Sequence, residues 1–302
     1  MLLAAALSKA KTTIIHQGKI PAGTGSLVAM AVYHKDQLNW LKQAVSSITG
    51  QSYSTFIFLI IKDGPVNSNI SDFLTHTAAS DERIFLAENS SNIGLAASMN
   101  FAIEWGMALN FDFFFRMDAD DISLPDRIEK QVTYLSNHQN VGILGTALTE
   151  INESGVVVGA RIMPASHKQI VKVLPRRCSI NHPTVAFRYE IFRKGFRYDA
   201  ELMNTQDYFL WIQLAEEGFV FRNLSERLLE FRRVNNFYKR RGFSKSVNEF
   251  RARLYAMRAL KRMTPWNLFY ASCVLLMRMM PSKLVKLAYK LDRKMLERGE
   301  RS

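Results

Sequence analysis

The chain has 302 residues, 48% hydrophobic and 22% charged, which excludes a disordered polymer, a collagen and a polytopic membrane protein. Forty Lys+Arg against 27 Asp+Glu give a formal net charge of +13, and so basic a chain points to an anionic partner. The excess is concentrated: residues 227–302 hold 20 basic and 5 acidic side chains, net +15, while residues 1–226 are near neutral.

The first seven residues are apolar, but no Lys or Arg precedes them, and the run is too short to span a bilayer. Residues 1–25 read as a loose extension, ended by Pro21, Gly23 and Gly25. Residues 27–33 (LVAMAVY) are a short apolar run that predicts a buried strand. Asp36 is placed to cap a helix with Leu38, Leu41, Val45 and Ile48 at helical spacing. Residues 56–61 (FIFLII) predict a second buried strand, stopped by Lys62-Asp63-Gly64-Pro65. Further strands are expected over 83–87 and 111–115, with a helix over 95–109 between them and another from about Pro125. Alternating strands and helices, the strands apolar throughout, predict an α/β domain with a mostly parallel sheet covered on both faces. Residues 141–151 and 156–161 flank Asn152-Glu153-Ser154-Gly155 and predict a hairpin. A short strand over 184–188 and a helix over 207–217, with Phe209, Leu210 and Leu214 inward, follow; beyond Phe243 the pattern is helical. Cys178 and Cys273 are far apart, so no disulfide framework is implied, as fits a reducing cytosol.

Asp118, Asp120 and Asp121 follow an apolar strand, at the end where open parallel sheets bind ligands. Carboxylates so close repel unless a cation is present, and hard oxygen ligands suit Mg²⁺ or Mn²⁺. A solvated Asp-rich turn is the other account. Asp63 also ends a strand and belongs on the same edge, either as a site residue or as a turn residue before Gly64. Asn92 opens a helix as a ligand contact or as its N-cap. Asp207 begins a helix as a general base or as a carboxylate favoured by the helix dipole. His182 and Arg188 precede it as binding or structural residues, and Arg232 and Arg233 are either bidentate phosphate ligands or a solvated basic edge.

In this order the pieces resemble the family-2 glycosyltransferases with the GT-A (Rossmann-like) fold, of the bacterial surface-polysaccharide type, over residues 26–235. The most specific part is Arg116-Met117-Asp118-Ala119-Asp120-Asp121-Ile122-Ser123-Leu124-Pro125-Asp126-Arg127 with Gln131 following, which looks like the RxDADDxxxPxR…Q block. Tyr33 after the first strand, Asp63-Gly64, the NxGLAxSxN stretch from Asn92 to Asn100, and Gln206-Asp207-Tyr208 match further motifs. The resemblance implies that Tyr33 and Asp63 hold the nucleobase. Asp118, beside Arg116 and Asn92, would contact the nucleotide sugar, Asp120 with Asp118 would bind Mn²⁺ or Mg²⁺, and Asp121 would be a weaker ligand. Asp207 would deprotonate the acceptor hydroxyl in one inverting displacement, and His182, Arg188 and Arg232 would contact the acceptor or a diphosphate. Ala31 stands where many relatives have Pro, Lys62 where they have Asp, Gln206 where Glu is commoner and His34 where Asn is frequent, which leaves the nucleotide sugar open between UDP-linked hexoses and their N-acetyl forms.

Residues 236–302 are expected to be a basic helical tail. After Pro281, Leu284, Leu287, Leu291 and Met295 fall on one helical face with lysines and arginines around the other. Such a helix suits an anionic membrane surface, or packs on the domain with its basic face in water. Lys239-Arg240-Arg241 is a second basic run, placed to meet a lipid diphosphate. The expectation is an enzyme at the cytoplasmic face of the inner membrane, acting on a lipid-linked or saccharide acceptor and not on nucleic acid. A nucleic-acid-binding protein driven by the tail, and a nucleotidyltransferase, are the alternatives; the first lacks a binding motif and the second lacks a Gly-rich phosphate loop after the first strand.

Overall fold

The computed structural model describes residues 12–202, 204–234 and 243–279. Its centre is a parallel block, β2 (Ser26–Val32), β3 (Phe56–Lys62), β4 (Ile84–Asn89) and β5 (Phe113–Met117), ordered β4-β3-β2-β5. These strands are apolar along their whole length because both faces are covered. The two-residue period of a strand divides them between two cores. Leu27, Ala29, Ile57, Leu59 and Ile61 face one side, with Met99, Ala102 and Ile103 of α3 (Leu95–Ala108). Val28, Met30, Val32, Phe56, Phe58 and Ile60 face the other, with Leu41, Val45 and Ile48 of α1 (Leu38–Thr49) and Leu74 of α2 (Ser68–Ser80).

Past β5 the sheet becomes mixed. After β6 (Ile122–Ser123) and α4 (Arg127–Asn137) come the hairpin strands β7 (Val141–Ile151) and β8 (Val157–Arg161), then α5 (His167–Val173), β9 (Ala186–Arg188) and α6 (Glu190–Arg193). The antiparallel β9 sits between β5 and β7, so β7 runs in the direction of β5. The base helix α7 (Gln206–Glu216) leads into β10 (Val220–Arg232), which is parallel to β7. Six of the ten strands therefore share one direction.

Two expectations change here. Residues 12–16 are not loose: Thr12–His16 is β1, an edge strand antiparallel to β4, and residues 1–11 lie outside the described residues. Asp36 does not cap α1, whose N-cap is Gln37; its Oδ2 accepts the Tyr33 amide at 2.9 Å instead.

The described part of the basic tail packs on the domain. In α8 (Phe243–Ala259), Ala252 and Ala256 join the core that holds α7. Arg253 Nε donates to the Arg176 carbonyl at 2.7 Å, and Arg176 Nε donates to Asn267 of α9 (Pro265–Met279) at 2.9 Å. Lys239-Arg240-Arg241 and the amphipathic stretch after Pro281 lie outside the described residues. No helix among the described residues is long and apolar enough to cross a membrane.

Candidate active site

Strand register decides which residues share an edge. Val32 is level with Lys62, and Met30 with Met117. Tyr33, Asp63 and Asp118, each following its strand, therefore emerge at the carboxyl edge of one parallel sheet, where open α/β sheets bind ligands.

Asp118, Asp120 and Asp121 bring carboxylate oxygens within 4.8 Å of one another. Burial, and then the Asp118 charge, push the Asp120 carboxyl up to about 6. Asp121 is fully buried, and burial ahead of its two neighbours raises it well above the carboxylate range. Its Oδ1 accepts the Arg232 amide at 2.9 Å, while its Oδ2 is buried without a hydrogen-bond partner among the described residues. Three crowded carboxylates with an orphaned oxygen form the hard donor set that a divalent cation takes.

Cationic side chains hold this turn from behind. Arg116, buried, pairs with Asp118. Arg127, also buried, donates to the Arg116 carbonyl at 2.9 Å and to Gln131 at 3.1 Å. Gln131 donates to the Leu144 and Thr184 carbonyls at 3.0 and 2.9 Å, joining β5, β7 and the turn before β9. The PxR…Q part of the motif is thus a brace under the strand end. Burial lowers the Arg127 pKa to about 10, and Asp121 opposes that shift.

Two expected ligand contacts are corrected. Arg232 is buried and its guanidinium is committed within the protein: Nε donates to the Asp120 carbonyl at 2.9 Å, Nη1 to the Asn152 and Glu153 carbonyls and Nη2 to Gln43 at 2.7 Å, over the Trp40 ring. It bolts the acidic turn to α1 and the hairpin, with every nitrogen of its guanidinium already engaged inside the protein. Arg188 pairs across from Phe113, the first residue of β5, and donates to the Leu135 carbonyl at 2.7 Å. It belongs to the opposite end of the sheet from the acidic turn.

Asp63 takes the capping work expected of Asn92. Its Oδ1 accepts from Asn89 at 2.9 Å and from the Ile93 amide at 2.8 Å, and its Oδ2 accepts the Gly94 amide at 3.0 Å. Asn92 is exposed and donates to the Asp63 carbonyl at 3.2 Å, while Gly94 is the N-cap of α3. The two loops meet so closely that a Cβ on Gly64, at φ +82°, would lie 2.5 Å from the Asn92 nitrogen. Gly64→Ala is therefore expected to lower stability by about 1–3 kcal/mol, read as a lower denaturation midpoint.

Asp207 lies in the first turn of α7, behind Thr205, whose φ of +68° is rare for a β-branched residue and marks local strain. Burial raises the pKa of the Tyr198 hydroxyl, with Arg116 opposing that shift and Asp207 and Asp118 adding to it. His182 Nε2 lies 2.9 Å from the Tyr198 hydroxyl, with the Trp211 ring edge-on at 5.9 Å. Burial, and then Arg116, hold the imidazole neutral. Asn100 clamps Tyr198 from both sides, accepting its amide at 3.0 Å and donating to its carbonyl at 2.8 Å.

The family model described as glycosyl transferase family 2 matches residues 27–196. This chain belongs to that family. The family 2 chain is 33% identical over 208 residues to the O-antigen biosynthesis glycosyltransferase WbnJ of Escherichia coli, covering 68% of itself and 78% of the relative. It is 30% identical over 235 residues to the UDP-Gal:alpha-D-GlcNAc-diphosphoundecaprenol beta-1,3-galactosyltransferase of E. coli, covering 77% and 83%. Among solved structures, S. aureus TarS 1–349 in complex with UDP-GlcNAc aligns with TM-score 0.60 at 13% identity, over 84% of this chain and 72% of that one. The mannosyltransferase PcManGT of Pyrobaculum calidifontis, in complex with GDP-Man and Mn²⁺, aligns with TM-score 0.53 at 14% identity, over 99% and 87%. The fold is GT-A and the protein is a glycosyltransferase.

Two side chains near the candidate site were not legible as such in the sequence. Asp36 is pushed up to about 7, first by burial and then by Asp120 and Asp118, so it stands within electrostatic reach of the acidic turn. Its signal was a carboxylate three residues beyond Tyr33 at the same sheet edge. Tyr198 carried no local signal, since its place depends on Asn100 from a distant helix.

Proposed function

We propose that the enzyme transfers a sugar from a nucleotide donor, UDP-linked, to a hydroxyl of a lipid-linked or saccharide acceptor in surface-polysaccharide assembly, with inversion at the anomeric carbon. The observation that supports the reading is the acidic turn itself: Asp118, Asp120 and Asp121 bring carboxylate oxygens within 4.8 Å of one another directly after β5, at the carboxyl edge of the parallel sheet. Asp120 and Asp118 would hold Mn²⁺ or Mg²⁺, which when bound offsets charge developing on the departing diphosphate. Tyr33 stacks on the nucleobase, Asp63 shapes the loop beside it through the Ile93 and Gly94 amides, Arg116 and Asn92 support the donor, and Asp207 takes the proton of the incoming hydroxyl. A second carboxylate flanking the sugar, as hydrolases need, is not required. His182, kept neutral, offers an acceptor contact through the edge it shares with Tyr198.

The relatives support the substrate class, one of them being a galactosyltransferase that acts on a GlcNAc-diphosphoundecaprenol acceptor. In this reading residues 26–235, with β1 added at the sheet edge, are the catalytic unit, and residues 236–302 are a basic tail whose α8 packs on that unit and which holds the enzyme peripherally on the anionic cytoplasmic face of the inner membrane. Trp266, Phe269 and Leu276, exposed at near-helical spacing on α9, support that placement.

The test is a donor screen with Mn²⁺ or Mg²⁺, following UDP release over a panel of nucleotide sugars. Metal-dependent release from one UDP-sugar is expected; binding of RNA or DNA without any turnover would overturn the reading. Tyr198→Phe is expected to lower kcat about three- to tenfold at unchanged UDP affinity, the size of one lost hydrogen bond, as steady-state kinetics would show.

A further inference from the structure

A groove of about 430 Å³ lies between the N-terminal end of α7 and the outer face of α8, lined by Leu202, Phe209, Leu254 and Tyr255 with Asn248, Arg251 and Arg258. Its floor is aromatic and aliphatic, with the Phe209 and Tyr255 rings stacked 5.8 Å apart. Arg251 and Arg258, one on each side of Leu254 and Tyr255, are exposed. Seven residues apart, they share one face of α8. Neither guanidinium has a hydrogen-bond or ion-pair partner among the described residues, in contrast to Arg116, Arg127, Arg232 and Arg253, all of which are engaged inside the protein.

We propose that this groove receives the isoprenoid diphosphate part of a lipid-linked acceptor, an assignment that rests on the glycosyl-transfer reading above. The chemistry is complementary at both ends: two uncommitted guanidiniums suit a diphosphate, and the apolar floor suits the first isoprene units. The position is complementary too. The groove borders the N-terminal end of α7, the end that carries Asp207, through Leu202 just before the helix and Phe209 on its first turns. A sugar joined to the diphosphate would reach Asp207 around this end of α7 while the phosphates stay at α8. The apolar residues exposed on α9, which packs against α8, give the lipid a bilayer-facing side from which to enter.

The test is calorimetric binding of farnesyl diphosphate to the full chain, with UDP and Mg²⁺ saturating so that the donor pocket is filled. Wild type is expected to bind farnesyl diphosphate at least tenfold more tightly than either farnesol or inorganic pyrophosphate. The double variant Arg251→Gln/Arg258→Gln is expected to lose at least tenfold of that affinity while binding UDP normally, which shows that it is folded. A benzophenone-tagged farnesyl diphosphate is expected to crosslink to α8. Unchanged farnesyl diphosphate affinity in the double variant, or a crosslink confined elsewhere, would overturn the groove and leave the donor reading intact. Failure of wild type to bind UDP with Mg²⁺ would strike the glycosyl-transfer reading itself.

Discussion

Asp207→Asn is expected to cut kcat by about 10²–10⁴-fold, the range that a positioned general base supplies, with UDP affinity unchanged. The amide keeps the shape of the carboxylate but cannot take a proton. The competing account is electrostatic: an acid in the first turn of α7 stabilises the positive end of the helix. That account makes a different prediction, a loss of about 0.3–1 kcal/mol in stability with turnover almost intact. Turnover and thermal melting on the same variant separate the two. Inversion adds a second check, because NMR of the first-formed product should show the anomeric configuration opposite to that of the donor. Near-normal transfer by Asp207→Asn would end its role as the base.

The central sheet was legible because FIFLII and its neighbours are apolar at every position, and only a strand covered on both faces has use for that pattern. Asp63 and the 118–121 turn were legible for a related reason: a carboxylate directly after such a strand lands on the ligand edge. What sequence spacing does not carry is register. Arg188 and Arg232 look alike as basic residues near strands. Antiparallel pairing of β9 with β5 sends Arg188 to the far end, and parallel pairing of β10 with β7 brings Arg232 under the acidic turn. β1 escaped for the same cause, since TTIIH is short and half-exposed and becomes a strand through its pairing with β4. Arg127 and Gln131 matched a motif, but motif spacing does not reveal that both are buried beneath β5 as a brace. The open question about the tail is answered in part by two small residues, Ala252 and Ala256, which let α8 approach the core closely.

Asp120→Asn separates binding of a cation from the stability of the apo protein, and the two should move in opposite directions. Turnover with Mn²⁺ or Mg²⁺ is expected to fall by about 10³-fold, corresponding to the several kcal/mol of charge stabilisation that a bound ion supplies. The apo protein, in contrast, should become more stable near pH 7. In the folded chain the Asp120 carboxyl is raised to about 6 and the Asp36 carboxyl to about 7, both above their ordinary value of 3.8. A carboxyl raised on folding favours the folded state fully below pH ~4 and loses that advantage as pH rises through its folded pKa. Without a cation, the wild type should therefore lose stability from these two groups between about pH 4 and 7. An amide at position 120 removes one charge from that repulsion and flattens the profile. Saturating Mg²⁺ should raise the wild-type melting temperature increasingly from pH 5 to 7 and leave that of Asp120→Asn nearly unchanged. If the variant melted lower than wild type in the absence of metal and still gained stability from Mg²⁺, the acidic turn would be a structural feature and not the cation site.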